Sequence, residues 1–112
     1  MIQAINYIKT GFSAEDAKKL DAVIKPLFDK GEKIQVDFEG ITIFTTLFFN
    51  NLFAKYIMEI GPQKYNELFS LNKLSELGET TYKHSFDNAI RYYNMSETER
   101  EKIDKNLENP DD

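Results

Sequence analysis

The period of apolar positions changes several times along the chain, and each change marks an element. Ile2-Gln3-Ala4-Ile5-Asn6-Tyr7-Ile8-Lys9 alternates imperfectly between apolar and polar residues, so a first strand is expected over residues 2–9. Thr10-Gly11-Phe12 reads as a turn and Ser13 as a helix N-cap, with Glu15 and Asp16 in the first turn, where carboxylates offset free backbone N–H groups. Ala17, Leu20, Val23, Ile24, Leu27 and Phe28 then recur at three-to-four spacing, which predicts an amphipathic helix over 14–30. Pro26 is expected to shorten or kink it, and Gly31 to stop it.

Ile34-Gln35-Val36-Asp37-Phe38 returns to the period of a half-buried strand, and Glu39-Gly40 follows as a turn. Phe48, Phe49, Leu52, Phe53, Tyr56, Ile57 and Ile60 mark one wide face of a central helix that stops at Gly61-Pro62. Tyr65 to Leu71 reads as a third strand and Asn72 to Gly78 as a connection, with or without a helical turn. From Glu79 onward, Tyr82, Phe86, Ala89, Ile90 and Tyr93 follow helical spacing again. Ser96 and Glu99 form a capping-box pattern before a short charged helix over 97–107, which has only Ile103 and Leu107 to dock. The order β-α-β-α-β-α predicts an α/β fold, with parallel strands joined by right-handed crossovers.

Length and composition narrow this picture. A chain of 112 residues suits one domain, expected over 1–95, followed over 96–112 by an acidic extension that is a short helix or disordered. Apolar residues make up 41% and aromatic residues 13%, enough for one real core. Without cysteine there is no disulfide, thiolate metal site or cysteine nucleophile, and His84 is the single imidazole. Net charge is −5, with 14 basic residues scattered among 19 acidic ones, which argues against nucleic acid as the partner. Seven of those acids stand against three bases from Ser96 onward, so the body is nearly neutral. No uncharged apolar run reaches membrane-spanning length and Met1 to Asn6 lacks a signal-peptide pattern, so a cytoplasmic domain with no membrane partner is expected. No nucleophile elbow, phosphate-cradling glycine loop, zinc spacing or calcium loop is present, and the expectation is a non-enzyme without cofactor or metal.

The stretch Ile34-Gln35-Val36-Asp37-Phe38-Glu39-Gly40-Ile41, followed by Phe48-Phe49-Asn50-Asn51-Leu52-Phe53, resembles a bacterial family of STAS-like domains of unknown function. That family carries a strand ending in Asp-Phe-x-Gly-Val and then a helix start of Ser-Phe-Ala-Asp-Glu-Leu type. Leu71-Asn72 and Ala89-Ile90-Arg91 stand where its next strand and last helix end, so the resemblance spans roughly residues 11–91. It implies a small, mixed and largely parallel sheet with helices packed on it, distantly similar to anti-sigma-factor antagonists. In those relatives a Ser or Thr at the start of the central helix is phosphorylated by a kinase partner, and the added charge makes or breaks a protein contact. Some members are fused to or encoded near histidine-kinase-like ATPases, which makes such an ATPase the implied partner. The resemblance sets Thr45 and Thr46 nearest the switch position. Leu47 replaces the family's Ser, Asn50-Asn51 its Asp-Glu, and Ser13-Ala14 its Ser-Arg, which narrows the expectation to binding rather than an assured phospho-switch.

Each candidate residue also has a plainer reading. Thr45-Thr46 is a phospho-acceptor pair or, as more often, an N-cap. Asp37 is a ligand-binding carboxylate or, more often, the residue that orients its own turn. Phe48, Asn50 and Asn51 are candidates for an interaction surface, although aromatic residues at this spacing more often belong to the core. A second function class is a small-ligand or nucleotide binder using loop 39–46, with Asp37, Glu39, Gly40, Thr45 and Thr46 at the start of the central helix. An enzyme would have to draw on Asp37, Glu39 and Thr46.

Overall fold

The structure is a computed structural model that describes residues 1–95 of the chain. The elements are β1 (Ile2–Gln3), a 3₁₀ turn (Ala4–Asn6), α1 (Ala14–Asp29), β2 (Ile34–Asp37), α2 (Thr46–Phe49), a π-helical segment (Asn50–Ala54), α3 (Lys55–Ile60), α4 (Pro62–Leu68), β3 (Phe69–Asn72) and α5 (Glu76–Tyr93). The α2, π and α3 segments run on without a break as the central helix 46–60. The strands form a parallel sheet in the order β1-β2-β3, with Ile2 opposite Val36 and Val36 opposite Leu71.

Strand order that advances in one direction through right-handed crossovers puts both crossovers on the same face of the sheet. The burial pattern agrees. Ile34, Val36 and Phe69 are buried against the helices, while Gln35 and Ser70 are exposed on the other face. Gln3, Asp37 and Asn72 share one register row at the C-terminal end of the strands. Parallel sheets are usually covered on both sides. Here polar side chains take the uncovered side.

Three expectations needed correction. The first strand is only two residues long, because the chain turns into the 3₁₀ segment at Ala4, which is fully buried, as Ile8 nearly is. The predicted strand over Tyr65–Leu71 is helical as far as Leu68. Gly61, at φ +86, ends the central helix, and Pro62 starts α4 at the position where a missing N–H costs nothing. Helix α5 begins at Glu76, three residues ahead of the expected Glu79, because Ser75 caps it by accepting from Gly78 N–H at 3.1 Å. The sheet is parallel throughout, in keeping with the largely parallel sheet expected. The predicted helix over 97–107 and the capping pattern at Ser96 lie outside the described residues.

The core is built on the central helix. Phe48, Phe49 and Leu52 are completely buried, and Phe53, Tyr56 and Ile57 nearly so. These positions repeat every four residues, whereas an α-helix turns once every 3.6, so a strictly α-helical face would drift by about 40° per repeat. The π segment Asn50–Ala54 fits more residues into one turn and so counters the drift, keeping all three apolar pairs toward the same side. Phe53 meets Phe69 and Tyr82 edge-on at ring centroid separations of 5.8 and 5.9 Å. The hydroxyls of Tyr65 and Tyr82 bond to each other at 2.7 Å, so the polar ends inside this aromatic cluster are satisfied.

Phe53→Ala is expected to cost about 3–5 kcal/mol in chemical denaturation, the usual range for a large side chain removed from a packed core. Tyr82→Phe leaves the Tyr65 hydroxyl buried without its partner and is expected to cost about 1–3 kcal/mol. Burial pushes Tyr82 up to about 12 and Tyr65 well above the ordinary tyrosine value. A folded-state pKa raised above the unfolded one contributes stability that is complete at lower pH and is lost as pH rises. Stability is therefore expected to fall from pH about 10 upward, with phenolate absorbance appearing together with loss of structure.

Candidate functional site

Because the three strands run parallel, their C-terminal ends lie on one edge of the sheet, and each is followed by a loop and a helix that turns back. These are loops 4–13, 38–45 and 73–75, leading into α1, the central helix and α5. Direct contacts join the loops to one another. Phe38 N–H donates to the Asn72 carbonyl at 2.9 Å, and Lys73 Nζ lies 3.2 Å from Glu39 Oε2. Gly11 N–H donates to the Ile43 carbonyl at 2.8 Å, and Thr45 N–H returns a bond to the Gly11 carbonyl at 2.9 Å. A Cβ on Gly11 would stand 2.7 Å from the Phe44 ring, so this close approach requires glycine.

Two helix N-termini are thereby tied side by side. Ser13 Oγ accepts from Asp16 N–H at 3.1 Å, and Asp16 Oδ2 accepts from Ser13 N–H at 3.3 Å and from the Thr10 hydroxyl at 3.2 Å. Burial alone would raise the Asp16 pKa, but the hydrogen bonds from Ser13 and Thr10 outweigh it and hold the carboxyl below its ordinary value. Thr45 caps the central helix, with Oγ1 accepting from Phe48 N–H at 3.1 Å while its own proton goes to the Phe12 carbonyl at 2.5 Å. The two threonines are thus distinct. Thr45 is locked into the structure, whereas Thr46 is exposed and its hydroxyl has no hydrogen-bond partner among the described residues.

The remaining candidates divide in the same way. Asp37 is buried and its Oδ1 accepts from Glu39 N–H at 2.8 Å, shaping the turn that Gly40 completes at φ +90. Glu39 points outward to Lys73, so the Asp37 and Glu39 carboxylates do different work, and no hydrogen bond joins either side chain to Thr46. Phe48 corrects the surface expectation: it is completely buried, with its ring against Phe44 and Phe49, since its place on the helix faces inward. Asn50 accepts from the Ser85 hydroxyl and so links the π segment to α5. Asn51 donates to the Leu47 carbonyl at 2.8 Å and is exposed.

What the sequence reading missed lies around these residues. Phe12, Ile43, Leu47 and Leu77 are 59%, 49%, 54% and 54% exposed, and Ile5 and Tyr7 are also exposed. All six belong to the C-terminal-edge loops or the first turn of the helices that follow. The signal was present in the chain: these residues fall outside the apolar period of every element. A cleft of about 360 Å³ runs from Ala14 and Glu15 at the start of α1 down its flank to Asp21, Asn51 and Lys55, and one of about 450 Å³ lies beside Ile60, Lys64 and Leu68. In the first of these Asp21 takes hydrogen bonds from both Lys55 and the Tyr56 hydroxyl. Among the described residues, no helix is long and apolar enough to cross a membrane.

Comparison with known proteins agrees with this geometry in one respect. The family model of the STAS-like domain of unknown function (DUF4325) matches residues 16–79, from the capping box of α1 to the first turn of α5. No curated protein and no solved structure matches the chain. With more than half its length matched, and with a parallel sheet whose helices pack on one face, the chain belongs to the family of STAS-like domains of unknown function.

Proposed function

We propose that this chain is a non-catalytic regulatory domain that binds another protein through the C-terminal edge of its sheet. The observation that carries this reading is the exposed apolar cluster Ile5, Tyr7, Phe12, Ile43, Leu47 and Leu77. Scattered apolar residues are normal on a surface, but a concentration on one edge, set on loops fastened to one another, marks an interaction site. The family resemblance supports a signalling partner of the ATPase or kinase type. In that form of the reading Thr46 is the acceptor, because its hydroxyl has no partner among the described residues and it adjoins Leu47. A phosphate there sets a strongly hydrated dianion beside an apolar contact and breaks it. Thr45 is the hinge of the scaffold rather than its switch.

Leu47→Asp and Ile43→Asp are expected to stay folded, with stability within about 0.5 kcal/mol of the parent, because both side chains are already largely in water. Each is expected to weaken partner binding by roughly thirty-fold, the equivalent of about 2 kcal/mol. In-cell cross-linking of the parent chain and both variants in the native host checks this. A parent chain with no near-stoichiometric protein partner, or variants that capture the same partner equally well, sinks the reading.

Intact mass after exposure to that partner and ATP tests the switch. One phosphate is expected on the parent chain and none on Thr46→Ala. Thr45→Val is expected to remain a substrate while losing about 0.5–2 kcal/mol of stability with its cap. A phosphate retained by Thr46→Ala would remove the assigned role.

A further inference from the structure

The edge that carries the apolar cluster also carries the acidic excess of the described residues. Segments 4–17, 38–49 and 73–79, which build that edge, hold five carboxylates and two lysines. The rest of residues 1–95 holds nine basic and seven acidic side chains, a slight positive balance. One of the two edge lysines, Lys73, is already matched with Glu39 at 3.2 Å. Asp16 is occupied by Ser13 and Thr10, but Glu15, Glu39, Glu76 and Glu79 are exposed. They rim the patch from three directions: Glu15 in the first turn of α1 next to Phe12, Glu39 ahead of Ile43, and Glu76 and Glu79 on either side of Leu77.

Acidic residues in first helical turns offset the exposed N–H groups, so each has a local structural use. Their sum is nevertheless a field, because parallel strands gather all three helix starts on one edge. A partner seated on Leu47 and Ile43 must bring its own rim within a few ångströms of these carboxylates. Like charges opposed there are unfavourable, which disfavours a second copy of the same edge, the phosphates of nucleic acid, and an anionic lipid surface. Resting on the interaction reading above, we propose that the occupant is a protein surface whose apolar anchors are ringed by lysine or arginine. Its charge steers the approach, and its anchors hold the complex.

A display library of short peptides, with leucine at anchor positions and lysine, glutamate or serine randomised elsewhere, tests this against the immobilised full chain at low salt. Lysine is expected to be enriched over glutamate. The selected peptides are expected to lose at least about ten-fold in affinity between 0.1 M and 1 M salt, as the screening length falls from roughly 10 Å to roughly 3 Å. Reversing the rim with Glu76→Lys and Glu79→Lys is expected to switch the selection toward glutamate. Lysines in a first helical turn weaken α5, so the neutral pair Glu76→Gln and Glu79→Gln serves as the second variant and is expected to flatten the preference.

Enrichment of glutamate or serine, no binder at all, or a preference unchanged by both rim variants overturns the basic-partner assignment. Peptides that no longer bind Leu47→Asp while showing no preference for lysine overturn the charge assignment alone and leave the interaction reading intact. Peptides that bind Leu47→Asp as well as the parent overturn both together.

Discussion

Parallel pairing of three strands is the constraint from which the rest of this molecule follows. Strands that run the same way cannot be joined by hairpins, so each must be followed by a helix that carries the chain back. The order β1-β2-β3 then sends both crossovers across the same face, which makes that face the core and leaves Gln35 and Ser70 on the other. It also places every outgoing loop on one edge. The Gly11–Ile43, Phe38–Asn72 and Lys73–Glu39 contacts are consequences of that convergence, and together they turn three separate loops into one surface.

The central helix supplies most of the cohesion. Its apolar pairs recur every four residues and face the sheet, α1 and α5 at once, which a plain α-helix would not sustain over three repeats. The π segment resolves the mismatch, with Asn50 linked to Ser85 and Asn51 to the Leu47 carbonyl at the point where the backbone ladder changes spacing. These asparagines stand where the resembling family has acids. Their observed contacts are structural, which separates the loss of the family's charge from any loss of the fold.

Neighbouring residues at the start of this helix differ in what they do for the scaffold. Thr45 gives both faces of its hydroxyl to the scaffold, accepting from Phe48 and donating to Phe12, so modifying it would unfasten α1 from the central helix. Thr46 and Leu47 contribute nothing comparable to folding and are open to solvent. A surface can carry apolar residues without cost to folding only where the chain beneath is held by other bonds. The Gly11–Phe44 bridge and the two caps provide that support.

The amino-acid pattern alone determined the elements whose signals are local. Helix α1, from its Ser13 cap, strand β2 and the inward face of the central helix follow from spacing and capping chemistry, which act within a few residues. It also carried the family, through the Asp37-Phe38-Glu39-Gly40 turn and the helix behind it. Residues 65–71 were ambiguous because Tyr65, Leu68, Phe69 and Leu71 satisfy either period, and only packing decided between them. Pro62 starts a helix that turns Tyr65 into the aromatic core, and pairing with β2 makes Phe69 onward a strand. The role of Thr45 as against Thr46, and the gathering of Phe12, Ile43, Leu47 and Leu77 with four glutamates, were likewise decided by tertiary structure. These residues are up to 67 positions apart, and nothing short of the parallel sheet brings them to one edge.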